Sequence, residues 1–386
     1  MRIAYYNRLL NEPWGCGVHG RALVEAWRRA GHEVVCLPEA LAEEGAIERQ
    51  SRLNRFRWIP EWVRIPAMQI RGWTRLARSG WRTAEALRAF RPDVLVARRA
   101  AYDFLLDYVE RRHDRPRLIA EVNALLYWEV RTVERQHVPQ SEENREKRFL
   151  HGSDHCVAVS EATASQLAEI GIPADAVTVI PNGADVAEFG PGVEPDHLVA
   201  EWARGHSGVV VYCGTLAAHH DMPTMAGAFR SLARQPSLGF LFIGPTSEEL
   251  AGVLGSRVLD DSRVWCTGRV PHAEVASLLA CSTAAWIALA NDGGSPLKVL
   301  EYMAMGLPVA LAGERQARDL LEQAGGGLCV ARQDAQGLAA AVSALLADQA
   351  AAAKMGAAGR AWVECNASWD GVAARMLECL NREGET

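Results

Sequence analysis

Lysine is scarce in this sequence: only Lys147, Lys298 and Lys354 occur in 386 residues, so arginine carries most of the positive charge. The nine cysteines form no C-x-x-C pair and are odd in number, which favours reduced thiols in the cytosol over a disulfide framework or a zinc site. No apolar run approaches the roughly 18–20 residues that span a bilayer. The first predicted strand begins at Arg2, which leaves no room for a signal peptide, so we expect a cytoplasmic protein.

Negative charge exceeds positive charge, and the formal net charge of −6 gives no reason to expect nucleic acid as a partner. Basic residues are nevertheless concentrated in residues 49–91, where eleven arginines face only Glu61 and Glu85 and four tryptophans are interleaved. Arginine meets anionic headgroups and indole rings sit at the membrane interface. The segment therefore predicts an anionic membrane surface as a partner, with the protein peripheral at the inner membrane face. The alternative is an arginine-rich helical pair whose tryptophans pack inward.

Short apolar runs alternate with helical patterns along the chain, which predicts α/β domains with parallel sheets covered by helices. Predicted helices include 19–30, 222–234 and 272–280, and the alanine-rich stretch 338–361 is also helical by composition. The predicted strands are 3–6, 33–37, 93–97, 117–122, 156–159, 177–180, 209–213, 240–243, 264–267, 284–289, 309–311 and 328–330.

The length exceeds what one hydrophobic core usually supports, and a Pro/Gly-marked linker separates two strand–helix series near 182–195. We therefore predict two doubly wound, Rossmann-like domains, residues 1–183 and 184–368, with a final helix at 369–382 that packs back on the first domain. Ligands of such sheets bind beyond the carboxyl ends of the strands. With two domains facing each other, a central cleft is the expected site.

The literal G-x-G-x-x-G of Gly15, Gly17 and Gly20 suggests a dinucleotide site and a dehydrogenase when it is taken alone. In that fingerprint the first glycine closes the strand–helix turn tightly, whereas here roughly eight loop residues (7–14) precede Gly15. A longer glycine loop still lets backbone amides approach an anion or a sugar at the start of a helix. We accordingly expect Gly15, Gly17 and His19 to form a sugar or acceptor loop.

A second glycine-rich stretch begins at Gly293 and Gly294 and leads into an apolar helix pattern that stops at Gly306. Ser295 suits the N-cap and Pro296 the first helical position. The free amides and positive dipole end of this helix would face a phosphate, with Lys298 as an added charge and Glu301 as an acceptor for a ribose diol. The alternative is a capped core helix with an incidental charge.

These features, in order, resemble the retaining glycosyltransferases of family four, which have the GT-B fold. The resemblance runs through the whole chain and rests on an ordered series of motifs, none specific alone. Besides the helix just described, the series consists of the glycine loop, Gly31-His32-Glu33-Val34, Val159-Ser160-Glu161, Val179-Ile180-Pro181-Asn182-Gly183-Ala184-Asp185, Val211-Tyr212-Cys213-Gly214-Thr215-Leu216, Phe242-Ile243-Gly244-Pro245 and Thr267-Gly268-Arg269-Val270-Pro271.

The resemblance implies a donor site in the second domain. Glu301 matches the second glutamate of the E-x7-E motif and should hold the nucleotide ribose, while the first glutamate is replaced by Gly293, with Asp292 or Asn291 as candidate substitutes. The family's G-R-L-x-x-x-K-G loop supplies two cations to the diphosphate, and Thr215 and His220 stand at those positions. The donor-binding residues implied are Gly214, Thr215, His220, Gly294, Ser295, Pro296, Leu297 and Glu301.

Three residues are candidates for a catalytic role. Lys298 and Arg269 could supply the cation that Thr215 and His220 lack. Asn123 falls where relatives often carry a histidine near donor and acceptor, and its amide can both donate to and accept from hydroxyls; a structural strand-end asparagine is the equal alternative. We also expect Arg98 and Arg99, just after the predicted strand at 93–97, to face the cleft.

The resemblance implies transfer of a sugar from a UDP- or GDP-sugar to a cell-surface glycan or lipid-linked acceptor, with retention of anomeric configuration. The departing phosphate can take the acceptor's proton, so no enzymic nucleophile is required. No D-x-D triplet occurs, which agrees with charge neutralisation without a metal, and no cofactor is expected beyond the nucleotide-sugar substrate. Two rivals stay open: a sugar-nucleotide 2-epimerase on the same scaffold, and a catalytically silent binding subunit.

Overall fold

The computed structural model describes residues 1–12, 15–38, 60–132, 137–216, 219–290, 296–313 and 315–379. Contacts between Cα atoms divide the chain into two compact units. The first unit comprises Met1–Pro181 and Val372–Thr386, and the second comprises Asn182–Gly371.

The first unit contains one parallel six-stranded sheet in the order β2-β1-β3-β4-β5-β6. Its strands are β1 (Arg2–Asn7), β2 (Glu33–Leu37), β3 (Val94–Arg98), β4 (Arg117–Val122), β5 (His155–Ala158) and β6 (Val177–Val179). The helices before residue 181 are α1 (Gly15–Arg29), α2 (Glu61–Phe90), α3 (Phe104–Glu110), α4 (Leu126–Thr132), α5 (Gln140–His151) and α6 (Glu161–Glu169), with a 3-10 turn at Ala174–Ala176.

The second unit contains another parallel six-stranded sheet, in the order β12-β11-β10-β7-β8-β9. Its strands are β7 (Gly208–Cys213), β8 (Leu238–Ile243), β9 (Val264–Cys266), β10 (Ala284–Ala288), β11 (Val309–Ala312) and β12 (Gly327–Val330). The remaining helices are α7 (His197–Ala203), α8 (Met222–Leu232), α9 (Ser247–Leu254), α10 (His272–Leu279), α11 (Leu297–Ala304), α12 (Arg315–Ala324), α13 (Ala335–Ala347), α14 (Gln349–Asn366) and α15 (Trp369–Glu378), with a 3-10 turn at Ser256–Leu259.

The predicted fold class is confirmed, because each of the twelve predicted strands overlaps a strand of one of these two sheets. The central strands are apolar on both faces, as strands covered by helices on both sides must be. In β7 and β8 every residue is buried. A strand of this kind appears in the sequence as a continuous apolar run, which is why pattern alone located it.

The order of strands fixes where each sheet can bind a ligand. In the second unit, the strands β7, β8 and β9 follow one another on one side of the sheet, and β10, β11 and β12 follow one another on the other side. The strand order therefore reverses between the neighbours β7 and β10. In the first unit the reversal falls between β1 and β3. Open α/β sheets bind ligands outside the carboxyl ends of the strands at such a reversal. The loops that follow these four strands are therefore the places to examine.

The final helix α15 begins within the second unit and continues in the first. The indole Nε1 of Trp27, on α1, donates a hydrogen bond to the carbonyl of Ala373 at 3.1 Å. Residues 338–361, predicted as helical, belong to α13 and α14, and Asp348 caps α14 between them. Among the described helices none alone is both long and apolar enough to cross a membrane; the bent pair α13 and α14 meets that test only when taken together.

Candidate active site

The loops after β7 and β10 are joined by backbone hydrogen bonds at the strand reversal of the second unit. The amide of Asp221 donates to the carbonyl of Ala288 at 2.9 Å, and the amide of Ala290 donates to the carbonyl of His219 at 2.9 Å. His220 and Leu289 form an antiparallel bridge between the same loops. Residues 217–218 and 291–295 lie outside the described residues, so Gly294 and Ser295 remain predictions.

His220 and Thr215, predicted to bind the donor, organise the loop after β7. The Nδ1 atom of His220 lies 2.8 Å from the carbonyl oxygen of Thr215 and also contacts the hydroxyl of Tyr212. Burial, together with the charges of His219 and Lys298, lowers the pKa of His220 to about 3. His220 is therefore neutral and cannot replace the cation that the resemblance implies at this position. Gly214, the residue before Thr215, has a φ of +156°. Thr215 itself is exposed.

The helix predicted to start at Pro296 starts one residue later, at Leu297, and Pro296 occupies the cap position without a side-chain cap hydrogen bond. The predicted start was therefore wrong by one residue, because the backbone of Pro296, with ψ of 81°, is not helical. The amides of Val299 and Leu300 bond back to the Pro296 carbonyl at 3.0 and 3.3 Å. Within the described part of the chain, the amides of Leu297 and Lys298 donate no hydrogen bond. They are the groups that a helix start can present to an anion.

Glu301 lies one turn into α11, is only 4% exposed, and is paired with two basic groups. The Nζ of Lys298 lies 3.1 Å from one carboxylate oxygen, and the Nε2 of His272 lies 3.1 Å from the other. The Nδ1 of the same imidazole lies 3.6 Å from a carboxylate oxygen of Glu188. We call Glu188, His272, Lys298 and Glu301 the donor-site cluster.

The electrostatics of this cluster favour the charged forms of His272, Lys298 and Glu301. Burial alone would raise the pKa of Glu301, but Lys298 and His272 outweigh it and hold that pKa below its ordinary value. Burial lowers the pKa of His272, yet hydrogen bonds to Glu188 and Glu301 raise it to about 9. Burial also disfavours the charged form of Lys298, and the charge of Glu301 more than compensates, so that its pKa lies above the usual range. An ionised carboxylate is thus held beside two cations.

Sequence reasoning missed His272 and Glu188. The motif Thr267-Gly268-Arg269-Val270-Pro271 ends one residue before His272, and Glu188 is separated from Glu301 by more than a hundred residues. Arg360, on α14, joins the segment that carries Glu188 to the end of α11. Its guanidinium donates to the carbonyls of Val186 at 2.9 Å and Ala304 at 2.6 Å, and to that of Phe189. Arg360 therefore positions the loop that carries Glu188 against the end of α11.

The end of α11 is fixed by close backbone packing. A Cβ atom added at Gly356, on α14, would lie 1.9 Å from the carbonyl oxygen of Gly306, so only glycine fits there. Gly306 has φ of +74° and closes the helix, as predicted, through a bond from its amide to the Met303 carbonyl. Nearer the site, the hydroxyl of Tyr302 accepts from the amide of Cys213 at 2.7 Å and so ties α11 to the end of β7.

Arg269, a predicted catalytic cation, follows Gly268 in the segment between β9 and α10. Its side chain is 63% exposed, and its guanidinium lies 3.5 Å from Glu249. It contacts no member of the donor-site cluster by any ion pair between described residues. Lys298 is therefore the better-placed cation, and a role for Arg269 stays a prediction.

In the first unit, Glu121 at the end of β4 collects four side chains from four elements. The hydroxyl of Tyr5 donates to it at 2.9 Å, and the amide of Asn123 donates at 2.9 Å. The Nε2 of His19 lies 2.8 Å away and a guanidinium nitrogen of Arg98 lies 3.5 Å away. We call these five residues the Glu121 cluster. It lies beside the strand reversal between β1 and β3.

Glu121 is buried, yet it is ionised. Burial raises its pKa, but the charges of His19 and Arg98 and the hydrogen bond from Tyr5 lower it to about 2. A carboxylate with so low a pKa cannot serve as a general acid near neutral pH. It instead orients His19, Arg98 and Asn123. Asn123, predicted as catalytic, therefore has at least one structural partner.

The predicted glycine loop is part of a helix. Helix α1 starts at Gly15, four residues earlier than predicted, so Gly15, Gly17 and His19 lie in its first two turns. Glycine has poor helix propensity, but a Cβ at Gly17 would lie 1.9 Å from the Glu12 carbonyl oxygen, so only glycine fits there. At Gly20 a Cβ would lie 2.8 Å from the side-chain nitrogen of Asn7, so this glycine lets α1 approach β1 closely.

Within the described residues, no group of three or more His, Cys, Asp or Glu side chains is arranged to hold a metal ion. Two doubly wound parallel sheets, with a charged cluster at the start of a helix beside a strand reversal, define a two-domain α/β protein suited to a phosphorylated ligand. Two profiles of known families match this chain. The profile for Glycosyltransferase Family 4 matches residues 15–188, and that for Glycosyl transferases group 1 matches residues 207–348. The chain belongs to the family-four glycosyltransferases with the GT-B fold.

Among curated proteins, this chain is similar to the GDP-mannose-dependent alpha-(1-6)-phosphatidylinositol monomannoside mannosyltransferase of Mycobacterium tuberculosis. The two are 29% identical over 244 residues, which cover 61% of this chain and 63% of that protein. The chain thus spans a little under two thirds of the length of the relative it matches.

Solved structures agree on the fold at lower identity. Sucrose-phosphate synthase from Thermosynechococcus elongatus superposes with a TM-score of 0.73 at 18% identity, covering 99% of this chain and 98% of that one. Anabaena HepE in complex with UDP-glucose superposes with a TM-score of 0.70 at 15% identity, covering 99% of this chain and 100% of that one.

Proposed function

We propose that this protein transfers a sugar from a nucleotide-sugar donor to a glycan or lipid-linked acceptor with retention of anomeric configuration. The observation that carries the proposal is the donor-site cluster at the amide end of α11. UDP- and GDP-sugars are the donor candidates, and the mycobacterial relative, named as GDP-mannose-dependent, favours GDP-mannose as the first to test.

The cluster has the chemistry to hold a nucleoside diphosphate. The amides of Leu297 and Lys298 and the ammonium of Lys298 form a positive end for phosphate. Each carboxylate oxygen of Glu301 receives one basic group and keeps a second lone pair. Those lone pairs can accept from the 2′- and 3′-hydroxyls of a ribose.

The same groups can stabilise the transfer step. Cleavage of the anomeric C–O bond leaves negative charge on the departing diphosphate and a cationic sugar. Preorganised amides and Lys298 stabilise that developing charge. The departing phosphate oxygen then accepts the proton of the acceptor hydroxyl as the new C–O bond forms on the same face. Neutral His220 contributes no charge to this step, which makes Lys298 the principal side-chain cation.

Calorimetric titration of UDP, GDP, uridine and guanosine separates the two halves of the donor site. We expect one diphosphate to bind and its nucleoside to bind more weakly. Lys298→Met should weaken the diphosphate about tenfold, the value of one charge-assisted hydrogen bond, and leave the nucleoside unchanged. Binding of neither diphosphate would favour a catalytically silent subunit. Conversion of a sugar nucleotide without acceptor would favour an epimerase.

We further propose that α2 contacts an anionic membrane surface. Five of the nine exposed large hydrophobic side chains among the described residues lie on α2, namely Trp62, Val63, Ile70, Trp73 and Trp81. At 100° per residue they fall within an arc of about 100°. We call them the tryptophan stripe. The alternative that these tryptophans pack inward is wrong for Trp62 and Trp81, which are 79% and 58% exposed. Trp73 is 57% exposed, and one face of its ring stacks on Phe104.

Arginines border the tryptophan stripe on the neighbouring arc of α2: they are Arg64, Arg71, Arg75, Arg78 and Arg82. Indole and guanidinium side by side match the interface of an anionic bilayer. The other predicted members of this surface, at 49–59, lie outside the described residues. Such contact would place the enzyme peripherally, on the cytoplasmic side if the sugar nucleotide is cytosolic.

Sedimentation with phosphatidylglycerol vesicles tests the membrane contact. Arg71→Gln with Arg78→Gln should reduce binding about tenfold or more, since each cation near the surface contributes about 1 kcal/mol. Added salt should weaken the wild type more than this variant. A wild type that ignores both salt and anionic lipid would remove the membrane from the proposal.

A further inference from the structure

A second positively charged feature of the first unit lies at the amino ends of the strands, whereas the Glu121 cluster lies at their carboxyl ends. A cavity of about 460 Å³ opens between the ends of α2 and α3, beside the residues that lead into β3 and β4. Four arginines and one aspartate line it, a formal charge of +3: they are Arg88, Arg91, Arg112, Arg115 and Asp114. The donor-site cluster, in the other unit, contributes nothing to this cavity.

The arginines of the cavity differ in how fully they are paired. Asp114 accepts from Arg112 at 2.8 and 2.9 Å and from Arg88 at 3.3 Å. Arg115 pairs with Asp154 at 2.8 Å and donates to the Gly152 carbonyl. Arg91 forms no ion pair with the described residues, although it lines the same space. The cavity therefore holds more positive charge than its own carboxylate neutralises.

Arg91 also occupies an unusual backbone position. It caps α2 with φ of +45° and ψ of 63°, and its amide donates to the Leu87 carbonyl at 2.9 Å. This left-handed cap position favours glycine or asparagine, which adopt it at lower cost. Backbone positions of this kind cluster at ligand-binding sites. Here the cap holds a guanidinium at the cavity.

The cavity lies in line with the tryptophan stripe. Arg88 follows Trp81 by seven residues, so it lies on the same face of α2 two turns further along. A surface that seats the stripe in a bilayer interface would bring the cavity mouth to the headgroups. We propose that this cavity binds the headgroup of a membrane lipid that ends in a phosphate monoester. The inference rests on the membrane contact proposed above and adds lipid selectivity to it.

Phosphate suits this site for a chemical reason. Guanidinium groups bind phosphate oxygens through paired, charge-assisted hydrogen bonds, and Arg88, Arg91 and Arg112 converge on one space. A phosphate monoester presents more charge and more free oxygens than the diester of phosphatidylglycerol. Phosphatidic acid vesicles are therefore the probe, compared with phosphatidylglycerol vesicles adjusted to equal surface potential.

Two variants with the same charge change isolate the cavity. Arg88→Gln with Arg91→Asn removes two cavity cations, and asparagine tolerates the left-handed cap. Arg71→Gln with Arg78→Gln removes two cations from the same helix outside the cavity. The wild type should prefer phosphatidic acid about tenfold. The cavity pair should lose that preference, whereas the control pair should weaken binding to both vesicles and keep it.

A third variant has the opposite expected sign. Asp114→Asn removes the carboxylate that occupies Arg88 and Arg112, so preference for phosphatidic acid should increase several-fold. Equal binding of the wild type to both vesicles, loss of preference in both arginine pairs, or weakening by Asp114→Asn would overturn the proposal. Tight binding of soluble glycerol 3-phosphate, without vesicle preference, would assign the cavity to a free metabolite and overturn the lipid.

Nucleotide titration of the same variants keeps the tests separate. Because the cavity belongs to the first unit, UDP or GDP affinity should be unchanged in all three. Thermal unfolding followed by circular dichroism checks separately that the first unit of each variant folds. Failure of the wild type to bind either nucleotide would contradict the proposed transferase and leave the vesicle result intact. Failure of the wild type to bind either kind of vesicle would contradict the membrane contact and the lipid site together, while nucleotide binding would leave the proposed transferase intact.

Discussion

Each unit contains a glutamate that is 4% exposed and paired with a histidine and a longer basic side chain. Glu121 has His19 and Arg98, and Glu301 has His272 and Lys298. The two glutamates differ in how many further partners their carboxylate oxygens have. Glu121 also accepts from Tyr5 and Asn123, so four side chains share its two oxygens. Glu301 has two partners, and Lys298 is 29% exposed. The first glutamate organises protein groups, and the second keeps capacity for a ligand.

The largest expected effect is on folding, at Glu121. Glu121→Ala leaves His19, Arg98 and Asn123 facing a buried gap, and breaking a buried ion pair in this way costs about 3–5 kcal/mol. Chemical denaturation should show that loss in the free energy of unfolding of the first unit, with nucleotide affinity unchanged. Nucleotide binding that disappeared while stability stayed constant would reverse the roles given to the two glutamates.

The next effect is on binding, at Glu301. Glu301→Gln keeps the shape of the side chain but loses its charge, so affinity for both the nucleotide and its nucleoside should fall about tenfold to a hundredfold. Titration calorimetry measures both. Glu322→Gln, which removes an exposed carboxylate paired with Arg318 in the same unit, is the matched control and should bind like the wild type.

A smaller effect, dependent on pH, is expected at His272. Its pKa in the folded protein is about 9, above the ordinary value of about 6.5. The stability it contributes is therefore fully present below pH 6.5 and is lost as pH rises through 9. His272→Gln should be less stable than the wild type by about 1–3 kcal/mol at pH 6.5, and the two melting curves should converge near pH 10. A gap that widened with pH would contradict the assigned pairing.

Asn123 gives the smallest expected effect. Asn123→Ala removes one hydrogen bond to Glu121 and should cost about 1 kcal/mol of stability. Nucleotide affinity should stay constant in calorimetry. If transfer activity falls by a hundredfold or more at unchanged stability, Asn123 contacts a substrate hydroxyl in addition to Glu121.

The strands of both sheets could be predicted because buried parallel strands appear in sequence as apolar runs bounded by turns. The Glu121 cluster could not, since Tyr5, His19 and Arg98 come from three separate elements that only the folded sheet brings to Glu121. His19, Arg98 and Asn123 were each singled out, but Tyr5 looked like a core residue. The start of α1 is four residues earlier than predicted because glycine propensity predicts a loop, whereas Gly15 and Gly17 lie inside the helix and a larger residue would not fit at Gly17. His272 and Glu188 were missed because nothing local marks their shared partner.

The tight contact between Gly356 and the Gly306 carbonyl, with Arg360 joined to the last turn of α11, anchors that helix at its rear. A helix anchored in this way keeps its leading amides in register whatever residues precede Pro296. In the proposed donor site, a substitution upstream of Pro296 would then change contacts to the sugar without moving the amides proposed to contact the phosphate. In that arrangement, the preference for a donor sugar can change during evolution without loss of binding to the diphosphate leaving group.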